Sequence, residues 1–491
     1  TTLFRSTFVM YLMFLLAINI GGALQPLFDV GSVALFVHGI QWIGYTLHFP
    51  DWLTIFLAQG LGGGINTVLP LVPQIGMMYL FLSFLEDSGY MARAAFVMDR
   101  LMQALGLPGK SFVPLIVGFG CNVPSVMGAR TLDAPRERLM TIMMAPFMSC
   151  GARLAIFAVF AAAFFGQNGA LAVFSLYMLG IVMAVLTGLM LKYTIMRGEA
   201  TPFVMELPVY HVPHVKSLII QTWQRLKGFV LRAGKVIIIV SIFLSAFNSF
   251  SLSGKIVDNI NDSALASVSR VITPVFKPIG VHEDNWQATV GLFTGAMAKE
   301  VVVGTLNTLY TAENIQDEEF NPAEFNLGEE LFSAVDETWQ SLKDTFSLSV
   351  LMNPIEASKG DGEMGTGAMG VMDQKFGSAA AAYSYLIFVL LYVPCISVMG
   401  AIARESSRGW MGFSILWGLN IAYSLATLFY QVASYSQHPT YSLVCILAVI
   451  LFNIVVIGLL RRARSRVDVE LLATRKSVSS CCAASTTGDC H

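Results

Sequence analysis

Cys121 and Asn122 lie within an apolar stretch, from Ser111 to Arg138, that prolines and glycines interrupt. The interrupting residues are Pro114, Gly118, Gly120, Pro124 and Gly128. A lipid-facing helix cannot leave so many backbone groups unpaired, because the bilayer core holds no water to bind them. Broken backbone at membrane depth is typical of transporters, which bind substrate where helices are discontinuous. The stretch therefore predicts a break that carries a thiol and an amide, with a proline-kinked core helix as the alternative.

A near-copy of this stretch lies in the second half of the chain. The pentapeptide Ser125–Ala129 recurs letter for letter as Ser397–Ala401. Each copy follows a proline and a cysteine, Cys395 in the second, and each is followed by arginines. Paired interrupted segments in two halves of a chain are the best sequence indication of a transport site. The repeat therefore predicts a transport site formed at these two segments, which carry Cys121 and Cys395.

Further donor atoms occur in or beside apolar runs. Ser149 and Cys150 lie four and three residues before Arg153, inside the predicted span 139–165. A charge within the bilayer must face protein or water, so Arg153 is expected to face one of the two and not lipid. A buried thiol that packs as a small hydrophobic side chain is the alternative for Cys150.

Two carboxylates complete the set of candidate ligands. Glu86 ends the predicted span 66–85, where it is either a solvated helix end or part of a cation-attracting vestibule. Glu300 follows Lys299 inside the apolar run 286–310, where the two residues form either a buried ion pair or part of a permeation path.

Thiols, an amide, a hydroxyl and carboxylates together suit a borderline-soft divalent ion such as iron(II) better than calcium or magnesium. An ion that sheds its water in a bilayer needs replacement ligands of this kind, since uncompensated burial costs several kcal/mol. No nucleophile–base–orienter set is recognisable, so an enzyme is not predicted. The residues alone indicate a transition-metal permease.

The C-terminal end carries another group of soft ligands. Three thiols and an imidazole fall within the last eleven residues, as Cys481, Cys482, Cys490 and His491. Four such ligands are enough for a labile metal site. We treat them as candidate tail ligands, separate from the transport path.

Composition bounds the fold class. The chain has 491 residues, of which 55% are hydrophobic and 13% charged. Soluble domains carry about 25% charged residues. With mean hydropathy of +0.65, the chain is predicted to be an all-α, polytopic membrane protein. A net charge of −2 gives no reason to expect a nucleic-acid partner.

The apolar runs predict about eight full crossings plus two re-entrant or broken segments. The predicted crossings are 5–24, 66–85, 139–165, 169–191, 230–250, 380–403, 409–434 and 441–461, and the broken segments are 112–131 and 286–310. Residues 29–49 are expected to form an interfacial helix or weak span. Making 112–131 re-entrant places Arg136, Arg138 and the basic 192–229 segment on one face, which predicts cytoplasmic termini.

Several of these segments resemble the ferrous iron transport protein B family. Gly118–Pro124 and Tyr392–Ser397 are similar to that family's paired Gate motifs, and Gly128–Thr131 with Arg136–Arg138 extends the first. Glu86–Arg93 and Ala298–Glu300 also resemble family patterns. The resemblance covers nearly the whole chain.

This resemblance implies uptake of iron(II), as substrate, across the bacterial inner membrane. Carried over by motif, the iron path would include Cys121, Cys150 and Cys395, with Glu86 and Glu300 as carboxylates. It also implies an N-terminal GTP-binding domain, with its GTP, Mg and GTPase activity, followed by a helical domain. Neither is present in this chain. Besides the bilayer and those domains, the candidate partners are small cytoplasmic accessory proteins and a second copy of the chain.

The expected domain organisation follows from the same pattern. The segments are a first span and interfacial helix (1–65), a first Gate-like repeat (66–191), a basic cytoplasmic connection (192–229), a second Gate-like repeat (230–434) with a soluble insert (311–378), a last span (435–466) and a Cys-rich cytoplasmic tail (467–491).

Two alternatives of other classes remain. Gate-type regions also occur in proteins associated with nucleosides, so a permease for nucleosides or another small solute is the first. It predicts aromatic stacking and amides around the site, and tolerance of Cys-to-Ser changes. The second is a metal-sensing membrane regulator, which predicts that removing residues 477–491 abolishes its response.

Overall fold

A computed structural model describes residues 20–196, 213–249, 263–297, 299, 301–311, 327–345 and 366–484, with backbone alone from 463 onward. Every regular element within these ranges is helical, which confirms the predicted all-α class. The helices up to residue 196 are α1 (Gln25–Ser32), α2 (Gly39–Thr46), α3 (Asp51–Phe56), α4 (Gly63–Val68), α5 (Leu71–Asp87), α6 (Tyr90–Leu105), α7 (Phe112–Val117), α8 (Asn122–Gly128), α9 (Pro135–Met144), α10 (Gly151–Phe164) and α11 (Gly169–Thr194).

The later helices begin in the segment that was predicted to connect the two repeats. They are α12 (Val215–Phe229), α13 (Lys235–Ser249), α14 (Ala264–Ile272), α15 (Trp286–Met297), α16 (Val301–Thr311), α17 (Leu327–Thr345), α18 (Thr366–Phe376), α19 (Ala379–Leu391), α20 (Ile396–Glu405), α21 (Arg408–Ala433) and α22 (Pro439–Ala484). Short π-helical segments join α1 to α2, α3 to α4 and α12 to α13.

Within the described part of the chain, seven helical stretches are long and apolar enough to cross a membrane. They are Ile20–Thr46, Gly60–Asp87, Pro135–Phe164, Gly169–Thr194, Ala379–Glu405, Arg408–Ala433 and Pro439–Arg462. The chain is therefore a multi-pass membrane protein. The predicted crossing 5–24 lies almost wholly outside the described residues, and the predicted crossing 230–250 forms α13, which is not among the seven.

Both segments predicted to be broken are broken. Residues 112–131 form α7 and α8, short helices that pack against each other on either side of an unwound turn. At about 1.5 Å per residue neither helix is long enough to cross a bilayer by itself. Residues 286–311 likewise form two separate helices, α15 and α16, instead of one continuous span.

Glycines in the first half allow two helices to approach closely. A Cβ added at Gly60 would lie 3.3 Å from the Ser245 Cβ, and one at Gly64 would lie 3.0 Å from the Ser241 Cβ. Small residues four apart on facing helices are a common packing motif inside membranes. Gly60 and Gly64 therefore allow the second candidate span to pack closely against α13.

The two repeats share one core around α19. From Ala381 to Leu391 all but one residue of this helix is buried, as expected for a helix that is apolar on every side. Its Tyr385 ring stacks on Phe160 of α10, with ring centroids 5.4 Å apart. The α10–α19 contact thus joins the first repeat to the second.

The last candidate span touches the rest of the protein lightly. Only 6% of its most apolar window is buried, so most of its surface is left for lipid. Asn453 holds it in register, because its side-chain amide donates to Ser424 at 2.8 Å and its side-chain oxygen accepts from Asn420 at 3.1 Å, both on α21. Polar pairs of this kind orient neighbouring helices where no hydrophobic force acts between them.

Two described helices of the predicted soluble insert (311–378) pack on candidate spans, α17 on the first and α18 on α10. Helix α17 lies against α1, and Glu330 of α17 pairs with the His38 Nδ1 at 2.9 Å. The tail also has partial order, since the backbone of α22 remains helical to Ala484.

Candidate functional site

Three cysteines predicted to line the path occupy the same local position. Cys121, Cys150 and Cys395 are the N-cap residues of α8, α10 and α20 respectively. Each has extended backbone angles, and in none does the side chain cap its own helix with a hydrogen bond. Every one of these thiols therefore lies at a point where unwound backbone becomes helix, and all three are partly buried and reduced.

Close packing at the first break leaves no room for a side chain at residue 118. A Cβ added at Gly118 would lie 2.9 Å from the Leu115 carbonyl oxygen and 3.0 Å from the Met148 Cβ. Backbone oxygen cannot yield as a flexible side chain can, so only glycine fits here. The Gly118 N–H donates back to Pro114 and Leu115 at 3.2 and 3.1 Å, which ends α7 and releases the chain into the turn before Cys121.

Hydrogen bonds join the break before Cys121 to the break before Cys150. The Asn122 Nδ2 donates to the Met148 carbonyl at 3.3 Å, and the Gly151 N–H donates to the Gly120 carbonyl at 3.3 Å. These bonds place the starts of α8 and α10 side by side. The two thiols at those starts consequently belong to one region of the molecule.

Asn122 presents an oxygen to this region. Its side chain is 5% exposed, and its Oδ1 accepts no hydrogen bond within the described structure. The same oxygen lies 3.2 Å from the position of a Cβ built at Gly118, so it faces the break. A buried acceptor without a donor is costly, and a cation would relieve that cost.

Arg153 is the central cation of the site. It is 1% exposed and donates from its guanidinium to the carbonyls of Pro146 and Met148 at 3.1 and 3.0 Å. Tyr177, on one side, lies within electrostatic reach of Arg153 and Cys150, and adjoins the buried Ser149 hydroxyl. Of the two predicted surroundings, protein or water, Arg153 has protein.

The second repeat also comes near Arg153. Tyr392 lies within electrostatic reach of both Arg153 and Cys395. Helix α20, which begins after Cys395, packs against α8, which begins after Cys121. The matching motifs of the two repeats therefore meet, and each repeat has a tyrosine within electrostatic reach of Arg153 and of one of its thiols.

Lys299 belongs to the second predicted broken segment, 286–310, and reaches the same region. It is 3% exposed and lies 4.8 Å from the centroid of the Tyr392 ring, while the Tyr392 hydroxyl donates to the Leu292 carbonyl at 3.2 Å. A cation over an aromatic face is stabilised by the ring quadrupole, more so when desolvated. Glu300 itself lies outside the described residues.

The remaining predicted ligands stand apart from this cluster or cannot be placed. Glu86 pairs with Arg225 of α12 at 3.0 Å, and both side chains are partly exposed. Of the tail residues, Cys481 and Cys482 fall in the backbone-only part of α22, and Cys490 and His491 fall outside the described residues.

No three His, Cys, Asp or Glu side chains converge on one metal-sized site within the described part of the chain. Cys121, Cys150 and Cys395 lie instead at the starts of three separate helices.

One functional candidate was missed by the sequence reasoning. Glu405 ends α20 and is almost wholly buried, yet it binds Arg130 and Arg138 of the first repeat. The only sequence signal was the carboxylate that directly follows Arg404 in the second copy of the motif. Nothing in that pattern indicates which distant arginines it meets.

Two protein-family profiles match the chain. The Gate family, described as nucleoside recognition, matches residues 68–164 and 230–408, and the C-terminal family of ferrous iron transport protein B matches residues 173–225. The first covers more than half of the chain. No solved structure matches it.

Curated relatives carry the name Fe(2+) transporter FeoB. The protein of Shigella flexneri is 99% identical over 484 residues, which make up 99% of this chain and 63% of that protein. The protein of Salmonella typhimurium is 94% identical over 484 residues, with the same shares. The protein of Legionella pneumophila is 49% identical over 464 residues, 92% of this chain and 60% of that protein.

The chain thus spans less than two thirds of the length of these relatives. The Gate matches fall on the two repeats that the sequence motifs delimit, and both contain the thiol-capped helices. The chain belongs to the ferrous iron transport protein B family, and it represents the Gate-containing membrane portion of such a protein.

Proposed function

We propose that this chain carries iron(II) across the bacterial inner membrane, handing the ion along the thiols at the starts of α8, α10 and α20. The observation that carries the proposal is the shared N-cap position of Cys121, Cys150 and Cys395 at three breaks inside apolar segments. The printed names of the relatives, all Fe(2+) transporters, support iron(II) as the substrate.

The chemistry of the site suits this cargo. An ion leaving water must exchange oxygen ligands for protein donors, and iron(II) accepts thiolate sulfur that calcium and magnesium avoid. The Asn122 Oδ1 adds an oxygen donor beside the first thiol, and Ser149 adds a hydroxyl beside the second. Glu86 and Glu300 are proposed as carboxylates that attract or compensate the ion at either side of the thiols.

Two buried cationic side chains near the proposed path would repel iron(II). Arg153 and Lys299 flank Tyr392, so a divalent cation meets repulsion there unless anions stand between. Thiolates and Glu300 are the anions proposed for this role. Metal binding by thiols releases protons, so the proposed transport should weaken as the medium becomes more acidic.

The whole-protein context is also part of the proposal. In the intact protein we place a GTP-binding domain and a helical domain before this chain, where they would regulate or drive transport using GTP and Mg. Both termini are proposed to be cytoplasmic, because the positive-inside rule favours arginine-rich loops on that face. Small cytoplasmic accessory proteins and self-association belong to the same proposal. No enzymatic step is assigned to the membrane portion.

Uptake of radioactive iron(II) by cells making the intact protein tests the proposal. Cys121, Cys150 and Cys395 are changed singly to Ser, and Cys445→Ser is the matched control because Cys445 lies within α22, away from any break. We expect each of the three variants to lose most of its uptake at equal membrane abundance, while the control keeps it. Normal uptake in all three would refute the thiol path.

The description of the Gate family as nucleoside recognition supports a second candidate, a nucleoside permease. The same cells distinguish it, because radioactive nucleoside uptake should then depend on the protein and survive the Cys-to-Ser changes. Deleting residues 477–491 distinguishes a metal-sensing regulator from a permease. Iron uptake should persist in that truncated protein if the chain is a permease, and the response to iron should vanish if it is a sensor.

A further inference from the structure

We infer that Glu405 closes the path at its arginine-rich end by holding the two thiol-capped half-helices α8 and α20 together. This inference rests on the proposed function, since it assigns the gate of that same path. Glu405 is proposed as a positioning residue: it acts through the helices that carry Cys121 and Cys395.

The contacts are specific to the two repeats. The Glu405 Oε1 accepts from the Arg130 Nε at 2.7 Å, and the Glu405 Oε2 accepts from an Arg138 terminal nitrogen at 2.7 Å. Arg130 follows α8 directly, Arg138 lies on α9, and Glu405 ends α20. One carboxylate therefore uses both of its oxygens to tie the second repeat to the first.

Burial makes this contact stronger than an ordinary surface pair. The Glu405 side chain is 3% exposed, whereas those of Arg130 and Arg138 are 55% and 34% exposed. Charge-assisted hydrogen bonds from arginine are short and directional, and water competes poorly for a buried carboxylate. The arginines, in contrast, can return to solvent when the contact breaks.

The position of the contact gives it a gating role. Cys121 and Cys395 lie at the starts of these two half-helices, and the Glu405 contact ties their far ends. If the far ends separate, α8 and α20 part along the face where they pack. An ion that has reached the thiols then has a way out on the side of Arg130 and Arg138. While the contact holds, that way is closed.

Arginines gather at this end of the molecule. The Arg136 Nε donates to the Met196 carbonyl at 2.9 Å, at the end of α11, and the positive-inside rule predicts that this face is cytoplasmic. An ion leaving here passes exposed positive charge. Exit is therefore disfavoured until the arginines move, which the release of Glu405 allows.

The test measures thiol accessibility, which does not require iron to move. Cys395 is kept as the only cysteine of this chain, and a membrane-impermeant maleimide is applied to vesicles of either orientation. If the path is open in about 1% of molecules, loss of the contact should raise the open fraction to about 10%. Labelling should then be roughly tenfold faster. We expect this rise in Glu405→Gln from the arginine-rich face alone.

Matched variants distinguish opening of the path at the Glu405 contact from general loosening of the protein. Glu283→Gln breaks an exposed pair of similar length, Lys277–Glu283 at 2.9 Å, which joins nothing across the repeats, and should leave labelling unchanged. Adding Arg130→Gln to Glu405→Gln should raise labelling no further, because both changes remove the same contact. Glu405→Asp, one methylene shorter, should label at an intermediate rate.

Unchanged labelling in Glu405→Gln would overturn the inference. So would an equal rise from both faces, or a rise that comes with loss of the folded, monodisperse protein in detergent. Failure of the iron-uptake experiment alone leaves this measurement readable, because the Cys395 labelling reports helix separation whichever solute the path carries.

Discussion

The Met148 carbonyl accepts from both Asn122 and Arg153, and this sharing predicts a measurable coupling between the two side chains. In Asn122→Leu the carbonyl keeps Arg153, and in Arg153→Leu it keeps Asn122. In the double variant it has neither. An orphaned buried carbonyl costs about 1–3 kcal/mol, a cost that appears only when both donors are gone.

The single changes set the scale. Asn122→Leu loses one long hydrogen bond of 3.3 Å and also removes an unpaired oxygen, so we expect a loss of about 1 kcal/mol or less. Arg153→Leu orphans the Pro146 carbonyl and removes charge-assisted bonds, so we expect a loss of about 3 kcal/mol. The double variant should exceed the sum of the two by about 1–2 kcal/mol.

The assay is reversible unfolding of the purified chain in mixed micelles as the fraction of denaturing detergent rises. The four proteins of the cycle are compared at one temperature and lipid content. Additivity within about 0.5 kcal/mol would refute the shared-acceptor geometry, because uncoupled sites normally add to that precision.

The remaining predictions concern packing. Gly118→Ala should prevent folding of the first break, because its Cβ would lie 2.9 Å from the Leu115 oxygen. Gly128→Ala should be tolerated, because the nearest neighbour of its Cβ would be Pro114 at 3.7 Å. The yields of monodisperse protein compare the two variants. Gly64→Leu should destabilise the contact with α13 by about 2 kcal/mol or more, whereas Gly63→Leu should not, because nothing lies within 4 Å of its Cβ. Unfolding in denaturing detergent measures both variants. Equal losses of stability would contradict the small-residue contact. Asn453→Leu should cost about 0.6–1.7 kcal/mol and raise protease sensitivity of α22, and an unchanged protein would show that lipid alone holds that span.

Local patterns predicted much of the fold and the elements of the site. Gly118 marks the break because it allows a contact that any Cβ would block, and Pro114 fits the first turn of α7, where its missing N–H leaves no helical bond unmade. The recurrence of Ser125–Ala129 at Ser397–Ala401 identified two segments that do pack against each other. These features depend on neighbours in sequence, so they can be read from sequence.

Long-range pairing could not be predicted in the same way. Glu86 meets Arg225 and Glu405 meets Arg130 because of how helices are arranged in space. Many arginines in the chain would satisfy a carboxylate equally well on chemical grounds. Only the packing of α5 on α12 and of α20 on α8 selects these partners.

The most direct test of the central claim is the coordination of bound iron. X-ray absorption at the iron edge is recorded on the purified chain with one equivalent of iron(II), under reducing conditions and without residues 477–491, which removes the tail thiols. We predict sulfur in the first shell of the parent and of Cys445→Ser, and its loss when Cys121, Cys150 and Cys395 are all serine. A first shell of oxygen and nitrogen alone in the parent would contradict the account.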